Sequence, residues 1–236
     1  MGELNREGVV AVPSLCGYLQ DAASAHAATL GFGLGDLAAM GRTWMLSRLI
    51  VETTARLRWN ETLVIETWPQ GVRRNLIAIR DFIGCDGAGN VLLTATSEWL
   101  FIDTRAGRIA RVPEYFSEFT PPGTPHVPIP DTPPPSLDPW DEAAAETITV
   151  RHSDIDVNQH VNNTRYADWL LEPLVDTKGC AQPVKIDILY KVAATDADTI
   201  RSAVSPEENG TIRHRLTRTS DGMTLAVAHT YWGNVS

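Results

Sequence analysis

The sequence predicts an α+β protein made of two tandem copies of one unit, each a curved antiparallel sheet wrapped around a helix. Two observations carry this. A helix candidate followed by about four long strand candidates occurs twice, which is an internal repeat. Between the copies, residues 121–139 read PPGTPHVPIPDTPPPSLDP and hold nine of the chain's 15 prolines. Proline lacks a donor N–H and fixes φ, so this segment is neither helix nor inner strand and reads as a stiff linker. The expected division is therefore 1–120, a linker over 121–139, and 140–236.

The first copy opens with a helix over Tyr18 to Leu30. Tyr18, Leu19, Ala22, Ala23, His26, Ala27 and Leu30 share helical spacing, and Gly31, Gly33 and Gly35 end it. Strands follow at Thr43–Trp59, Thr62–Trp68, Arg74–Cys85 and Val91–Asp103, with turns at Asn60-Glu61 and across Asp86 to Asn90. The second copy has a helix over Asn163–Glu172, stopped by Pro173. Its strands are Val184–Val192, Thr199–Val204, Thr211–Thr219 and Met223–Trp232. In each unit the helix covers a sheet face that would otherwise lie bare in water. Trp44, Trp59, Trp68, Trp99 and Trp232 fall in or at the ends of strands and read as packing anchors.

Composition bounds the function. The chain has 236 residues and a formal net charge of -9, which argues against nucleic acid as the partner. The charge is uneven: 11 basic and 13 acidic side chains in residues 1–120, against 9 and 16 after them. No apolar run approaches the ~20 residues that span a bilayer. The polar start, with Glu3, Arg6 and Glu7, does not read as a secretory signal. Cys16, Cys85 and Cys180 are scattered and odd in number, neither a disulfide framework nor a zinc site, which suggests a reducing cytoplasm.

The densest chemistry lies in Asp156-Val157-Asn158-Gln159-His160-Val161-Asn162-Asn163. An acid, an amide and an imidazole at i, i+2 and i+4 share one face if the backbone is extended. They fall just before a helix N-terminus, whose N–H groups around Asn162 and Asn163 favour developing negative charge. His160 suits proton transfer near neutral pH. Asp156 can fix the imidazole tautomer, orient water or attack a carbonyl, and Asn158 can donate to a substrate carbonyl or to Asp156. Aligning Tyr18 with Tyr166 sets Val10, Val12 and Ser14 opposite Asn158, His160 and Asn162, so packing alone does not demand the polar set. A calcium loop fails, since Gln159 stands where glycine is needed and Arg165 where glutamate is needed. His152 and Asp154 read as flanking groups, and no metal or cofactor is expected. His26, on the first helix, serves either core packing or the lining of a pocket.

This run, with Tyr166 and Trp169 after it, resembles the signature of the acyl-acyl-carrier-protein thioesterases. Arg42 to Arg48, Glu66 to Pro69, and Ala95 to Trp99 with Asp103, Arg108 and Pro113 resemble that family's first-half strands. The resemblance implies two tandem hot-dog domains and hydrolysis of a fatty-acyl thioester of acyl carrier protein. It implies that Asp156, Asn158 and His160 are catalytic, and that an acyl tunnel lies largely in the N-terminal domain beside its helix. Hydrolysis of acyl-coenzyme A, or binding of acyl thioesters without turnover, stand as alternatives. Two such domains in one chain already satisfy the usual pairing, which leaves a homodimer open. One departure stands out: where the family usually carries Glu, often followed by Cys, this chain has Ala193 and Ala194. A cysteine nucleophile is excluded there, and a supporting carboxylate must come from Asp187, Asp196 or Asp198 if at all.

Overall fold

The computed structural model describes residues 3–121, 123–129 and 140–233, with the backbone alone at 141–143. Most of the expected linker, residue 122 and residues 130–139, lies outside the described residues. The chain forms two compact units, Gly17–Ile129, and Met1–Cys16 together with Pro130–Ser236. The division thus falls inside the first helix, and the N-terminal stretch packs with the C-terminal half.

That first helix, α1, spans Val12–Thr29 and begins six residues before the expected start. Pro13 sits in its first turn, where a missing N–H costs nothing. The Val12 N–H, one of the orphan donors of a helix start, donates to Gln182 Oε1 at 3.1 Å. At the other end Gly31 takes φ 76° and lets the Phe32 N–H turn back to the Ala27 carbonyl at 2.9 Å. A short helix, α2 (Leu34–Ala39), follows in the glycine-rich stretch read as a terminator.

The first unit's strands are β1 (Arg42–Thr53), β2 (Val64–Arg73), β3 (Ile77–Cys85) and β4 (Val91–Asp103), in the antiparallel order β2-β3-β4-β1. A two-residue β5 (Arg108–Ile109) pairs with β4. β2 runs five residues past its expected end, to a tight turn in which Arg74 and Asn75 both take positive φ (53° and 56°). That turn geometry suits the right-handed twist of a hairpin. Pro69 is tolerated inside β2 because the strand is at the sheet edge, next to a register shift between Pro69 and Gly71. β1 ends at Thr53 rather than Trp59, and Trp59 is 60% exposed, so it anchors nothing. Phe32, Leu37, Ala78, Phe101, Val112 and Phe116 form a buried cluster, with Trp44 and Trp99 packed against it.

The second unit carries β6 (Asp141–Thr149), α3 (Asn163–Leu171), α4 (Val175–Lys178), β7 (Lys185–Tyr190), β8 (Thr199–Val204), β9 (Thr211–Arg218) and β10 (Thr224–Tyr231). Their antiparallel order is β7-β10-β9-β8-β6. β6 was not expected. Pro173 does not stop the chain's winding, because it falls in the opening turn of a 3-10 segment, Glu172–Leu174, that leads into α4. α3 buries Tyr166, Ala167, Trp169 and Leu170. The carbonyls of its last turn have no helical N–H to meet, and the sheet supplies donors instead. Ser202 Oγ donates to the Trp169 carbonyl at 2.6 Å and His214 Nδ1 to the Leu170 carbonyl at 2.7 Å. With Nδ1 as donor, His214 Nε2 accepts from the Thr230 hydroxyl at 2.7 Å, and that oxygen accepts Trp232 Nε1–H at 2.8 Å. Each unit is thus an antiparallel sheet against a helix, the two tandem hot-dog domains of an α+β chain. Among the described residues no helix is long and apolar enough to cross a membrane.

Burial drives the His214 pKa from 6.5 down to about 4, since the charged ring would sit in a fully enclosed site. The unfolded chain therefore binds a proton in this window that the folded chain refuses. The stability His214 contributes is complete above about pH 6.5 and falls away as pH drops toward 4, by roughly 3 kcal/mol in all. Urea denaturation at stepped pH measures this slope, and His214→Gln is expected to flatten it between pH 6.5 and 4.

Candidate active site

Asp156, Asn158 and His160 do not lie on one face of a strand. Residues 155–161 form a closed loop, joined at its base by an isolated antiparallel bridge between Ile155 and Val161. Within it the Asp156 N–H donates to the His160 carbonyl (2.8 Å) and the Gln159 N–H to the Asp156 carbonyl (3.0 Å). The Asp156 carboxylate folds back as an Asx turn, with Oδ1 accepting the Asn158 N–H at 2.8 Å. The loop closes because Gln159 takes φ 62°, a left-handed conformation unusual outside glycine and asparagine.

The loop brings two of the three expected side chains together. Asn158 Nδ2 lies 3.5 Å from Asp156 Oδ2, so carboxamide and carboxylate meet. The His160 imidazole makes no hydrogen bond to either of them or to any other described residue. Asn158 and His160 are exposed, and Asp156 is half-buried.

Both ends of the loop are pinned. The Val161 N–H donates to the Ala194 carbonyl at 3.0 Å, and the Asn162 N–H to the Asp154 carbonyl at 2.8 Å. The Asn162 amide is thereby consumed, which removes it from the expected anion-binding pair. Asn162 is instead the N-cap of α3, its Oδ1 accepting Thr164 N–H and Thr164 Oγ–H, each at 2.9 Å. The Asn163 N–H is left without a partner among the described residues. Asp154 is buried and accepts from the Arg151 N–H (2.9 Å) and from Arg165 Nε (3.2 Å), tying the approach to the loop onto α3. His152 is exposed.

The stretch where the family carries Glu and Cys abuts this loop through Ala194. The Ala194 N–H donates to the Tyr166 hydroxyl at 2.8 Å, and Tyr166 is 2% exposed, its ring tilted against Trp169 and edge-to-face with Tyr190 at centroid distances of 5.6 and 5.4 Å. The sequence motif places Tyr166 beside the polar run without showing this role: β7 ends at Tyr190, and the Ala194 N–H beyond it takes the tyrosine hydroxyl as its acceptor. Of the three carboxylates considered as replacements, Asp198 is occupied by the Thr195 N–H (2.9 Å) and by Arg218 (3.5 Å). Asp187 is buried in β7 opposite His229 in the ladder, and Asp196 is exposed. None of them touches His160. Among the described residues no group of three or more His, Cys, Asp or Glu is placed to hold a metal ion.

The N-terminal stretch repeats the bridge and the turn hydrogen bonds that close this loop. Leu4 bridges Val10 as Ile155 bridges Val161. The Asn5 N–H donates to the Val9 carbonyl (2.8 Å), and the Gly8 N–H to the Asn5 carbonyl (3.1 Å). Asn5 Oδ1 accepts the Glu7 N–H at 3.0 Å, and Gly8 takes φ 74° where Gln159 takes 62°. Both loops run straight into a helix, at Val12 and at Asn163. The counterparts of Asp156, Asn158 and His160 are therefore Asn5, Glu7 and Val9. The register expected from Tyr18 and Tyr166 is three residues out, because α1 begins further ahead of Tyr18 than α3 does of Tyr166. The contrast between the copies narrows to the imidazole, whose place is taken by the buried Val9.

A double hot-dog chain with a polar loop leading into the second unit's helix defines the class to which this protein belongs. The family model for the N-terminal domain of acyl-ACP thioesterases matches residues 1–119, and that for the C-terminal domain matches residues 137–234. The chain belongs to the acyl-ACP thioesterase family. It is 28% identical to a chloroplastic acyl-acyl-carrier-protein hydrolase of Cuphea viscosissima, covering 98% of this chain and 59% of that one. It is also 28% identical to the chloroplastic oleoyl-acyl carrier protein thioesterase 2 of Arabidopsis thaliana, covering 90% and 62%. It thus spans about three-fifths of the length of these relatives. In fold it matches an acyl-ACP thioesterase from Bacteroides thetaiotaomicron, with TM-score 0.84 at 22% identity over 98% of this chain and 93% of that one. A 12:0-ACP thioesterase from Umbellularia californica gives TM-score 0.82 at 23% identity over 99% and 94%.

The left-handed residue of each loop gives a test of their equivalence. Gly8→Ala is expected to cost about 1 kcal/mol of stability, and Gln159→Gly to add about as much by relieving its backbone. Urea denaturation of the two variants measures both signs.

Proposed function

We propose that this protein hydrolyses fatty-acyl thioesters of acyl carrier protein, releasing the free fatty acid and the carrier thiol. The observation that carries the reading is the pinned loop that holds Asp156 against Asn158 and leads His160 into the start of α3. Membership of the family supports it, as do relatives whose names give acyl-carrier-protein hydrolysis.

A carboxylate held by the Asn158 N–H and approached by its carboxamide is better placed to orient a water molecule than to attack a carbonyl. A His160 ring nitrogen, without a hydrogen-bond partner among the described residues, takes the proton from that water as its oxygen bonds to the thioester carbon. The carbonyl oxygen gains the negative charge, and the open Asn163 N–H at the start of α3 is the donor suited to hold it. On collapse the C–S bond breaks, and the imidazolium returns its proton to the departing thiolate. Ala193 and Ala194 provide no nucleophile and no carboxylate to this scheme.

That absence also favours a second reading, in which the protein holds acyl thioesters without turning them over. A thiol-release assay across acyl carriers of different chain length and across acyl-coenzyme A separates the readings and the carriers. His160→Ala and Asp156→Ala are each expected to lower kcat/KM by about two to four orders of magnitude. Both side chains face solvent or nearly so, and the thermal midpoint is expected to stay within a few degrees. Wild-type turnover in either variant removes that residue from the mechanism.

A further inference from the structure

The sheet of the first unit is electrically lopsided. Its strands are antiparallel, so one end gathers the start of β1, the β2–β3 turn and the close of β4 with β5. That end carries Arg42, Arg73, Arg74, Arg105, Arg108 and Arg111. The opposite end carries Arg56 and Arg58 against Glu52, Glu61 and Asp86. Two arginines of the first group are paired, Arg42 with Asp103 at 2.6 Å and Arg73 with Glu98 at 2.8 Å. The guanidinium groups of Arg74, Arg105, Arg108 and Arg111 are exposed and have no partner among the described residues.

The fold gathers these four. The Val112 N–H donates to the Asn75 carbonyl at 3.0 Å, which sets the backbone of Arg111 beside the turn that holds Arg74. β5 lies on the same side of β4 as β3 does, with Arg108 opposite Asp103. The Thr104 N–H donates to the Gly41 carbonyl at 3.0 Å, placing Arg105 at the start of β1. Asp103 offsets little of this charge, since Arg42 and the N–H groups of Arg105 and Ala106 (3.0 and 2.9 Å) already hold it. Glu114 and Glu118, on the 3-10 segment that follows, are the next acids along the chain, both exposed. Leu76 follows in the turn after Arg74 and is 38% exposed; Ile109 follows Arg108 and is 47% exposed. Like charges brought together this way repel, so they do nothing for the fold. Their field acts outward. On a chain of formal net charge -9, an acidic partner is repelled by most of the surface and drawn to this end. Guanidinium forks match carboxylates, and the two apolar side chains among them suit a protein surface better than a phosphate backbone.

We propose that this end of the first unit is the docking surface for the acyl carrier protein, which meets Arg74, Arg105, Arg108 and Arg111 with carboxylates and Leu76 and Ile109 with apolar side chains. The thioesterase reading above enters only as the identity of the partner. The test is calorimetric titration with a holo acyl carrier protein, which bears the phosphopantetheine arm without an acyl group and so binds whether or not thioesters are hydrolysed. The wild type is expected to bind it and to lose about tenfold in affinity between low salt and about 0.5 M salt. Arg74→Ala, Arg108→Ala and Arg111→Ala combined are expected to weaken binding at low salt by about tenfold or more and to flatten the salt dependence. The same three positions changed to lysine are expected to keep most of the affinity. Arg58→Ala, beyond the far end of a β1 strand about 40 Å long, is expected to bind as the wild type does. Should the combined variant not fold, Arg108→Glu carries the same comparison. No binding by the wild type, including retention on anionic phospholipid vesicles instead of the carrier, overturns the proposal. So does wild-type affinity in the combined alanine variant, or an equal loss in Arg58→Ala. Thiol release from acyl-pantetheine, which has no protein surface to dock, reports separately on the thioesterase reading. Its turnover beside a carrier that does not bind refutes the docking and leaves the reaction standing, and a carrier held by the arginines without any turnover does the reverse.

Discussion

Two backbone hydrogen bonds, Val161 to Ala194 and Asn162 to Asp154, decide what the polar loop can be. They fix its exit to two separate stretches of chain just before α3 begins. The residues between are then too few to stay extended, and the carboxylate of Asp156 turns inward to its own backbone. Asn158 is drawn to the carboxylate by the same turn, while His160 is left reaching outward. The helix start is affected too, since one of its first donors is spent on the pin and the next remains open.

The first copy shows which parts of this arrangement are architecture. Asn5 makes the same inward turn as Asp156, so a side chain of that shape is needed to close the loop whatever its charge. In the N-terminal copy the amide of Asn5 is occupied, donating to the Cys180 carbonyl at 2.9 Å. Its third position is buried valine. One loop is built into the body of the unit, and the other keeps its equivalent groups turned to water. The glutamine at the left-handed position of the exposed copy, where the other has glycine, is a local conformational cost carried by the loop with chemistry to do.

Much of this was legible in the sequence. Four strands of the first half and four of the second follow from alternation and from Gly, Asn and Asp punctuation. β4 and β8 have the bounds expected for them. β6 escaped because Glu142 to Thr147 is rich in alanine and glutamate, and pairing with β8 overrides that local preference. The catalytic candidates were legible as residue types but not as a shape. A spacing of i, i+2, i+4 looks the same in a strand and in a loop closed by an i to i+4 bond, and glutamine gives no sign of positive φ. The part played by Tyr166 was invisible for a related reason: it depends on which donors are left over once the ladders are formed.

Cys16 sits in the second turn of α1, wholly enclosed, and burial together with the nearby Asp168 pushes its thiol up to about 12. Alkylating reagents attack the thiolate, so in the closed molecule this sulfur is chemically silent. Cys85 and Cys180 are half-buried by comparison. The rate at which Cys16 becomes labelled therefore counts the openings of the unit that encloses it, which gives the chain an internal clock for its own breathing without any engineered probe.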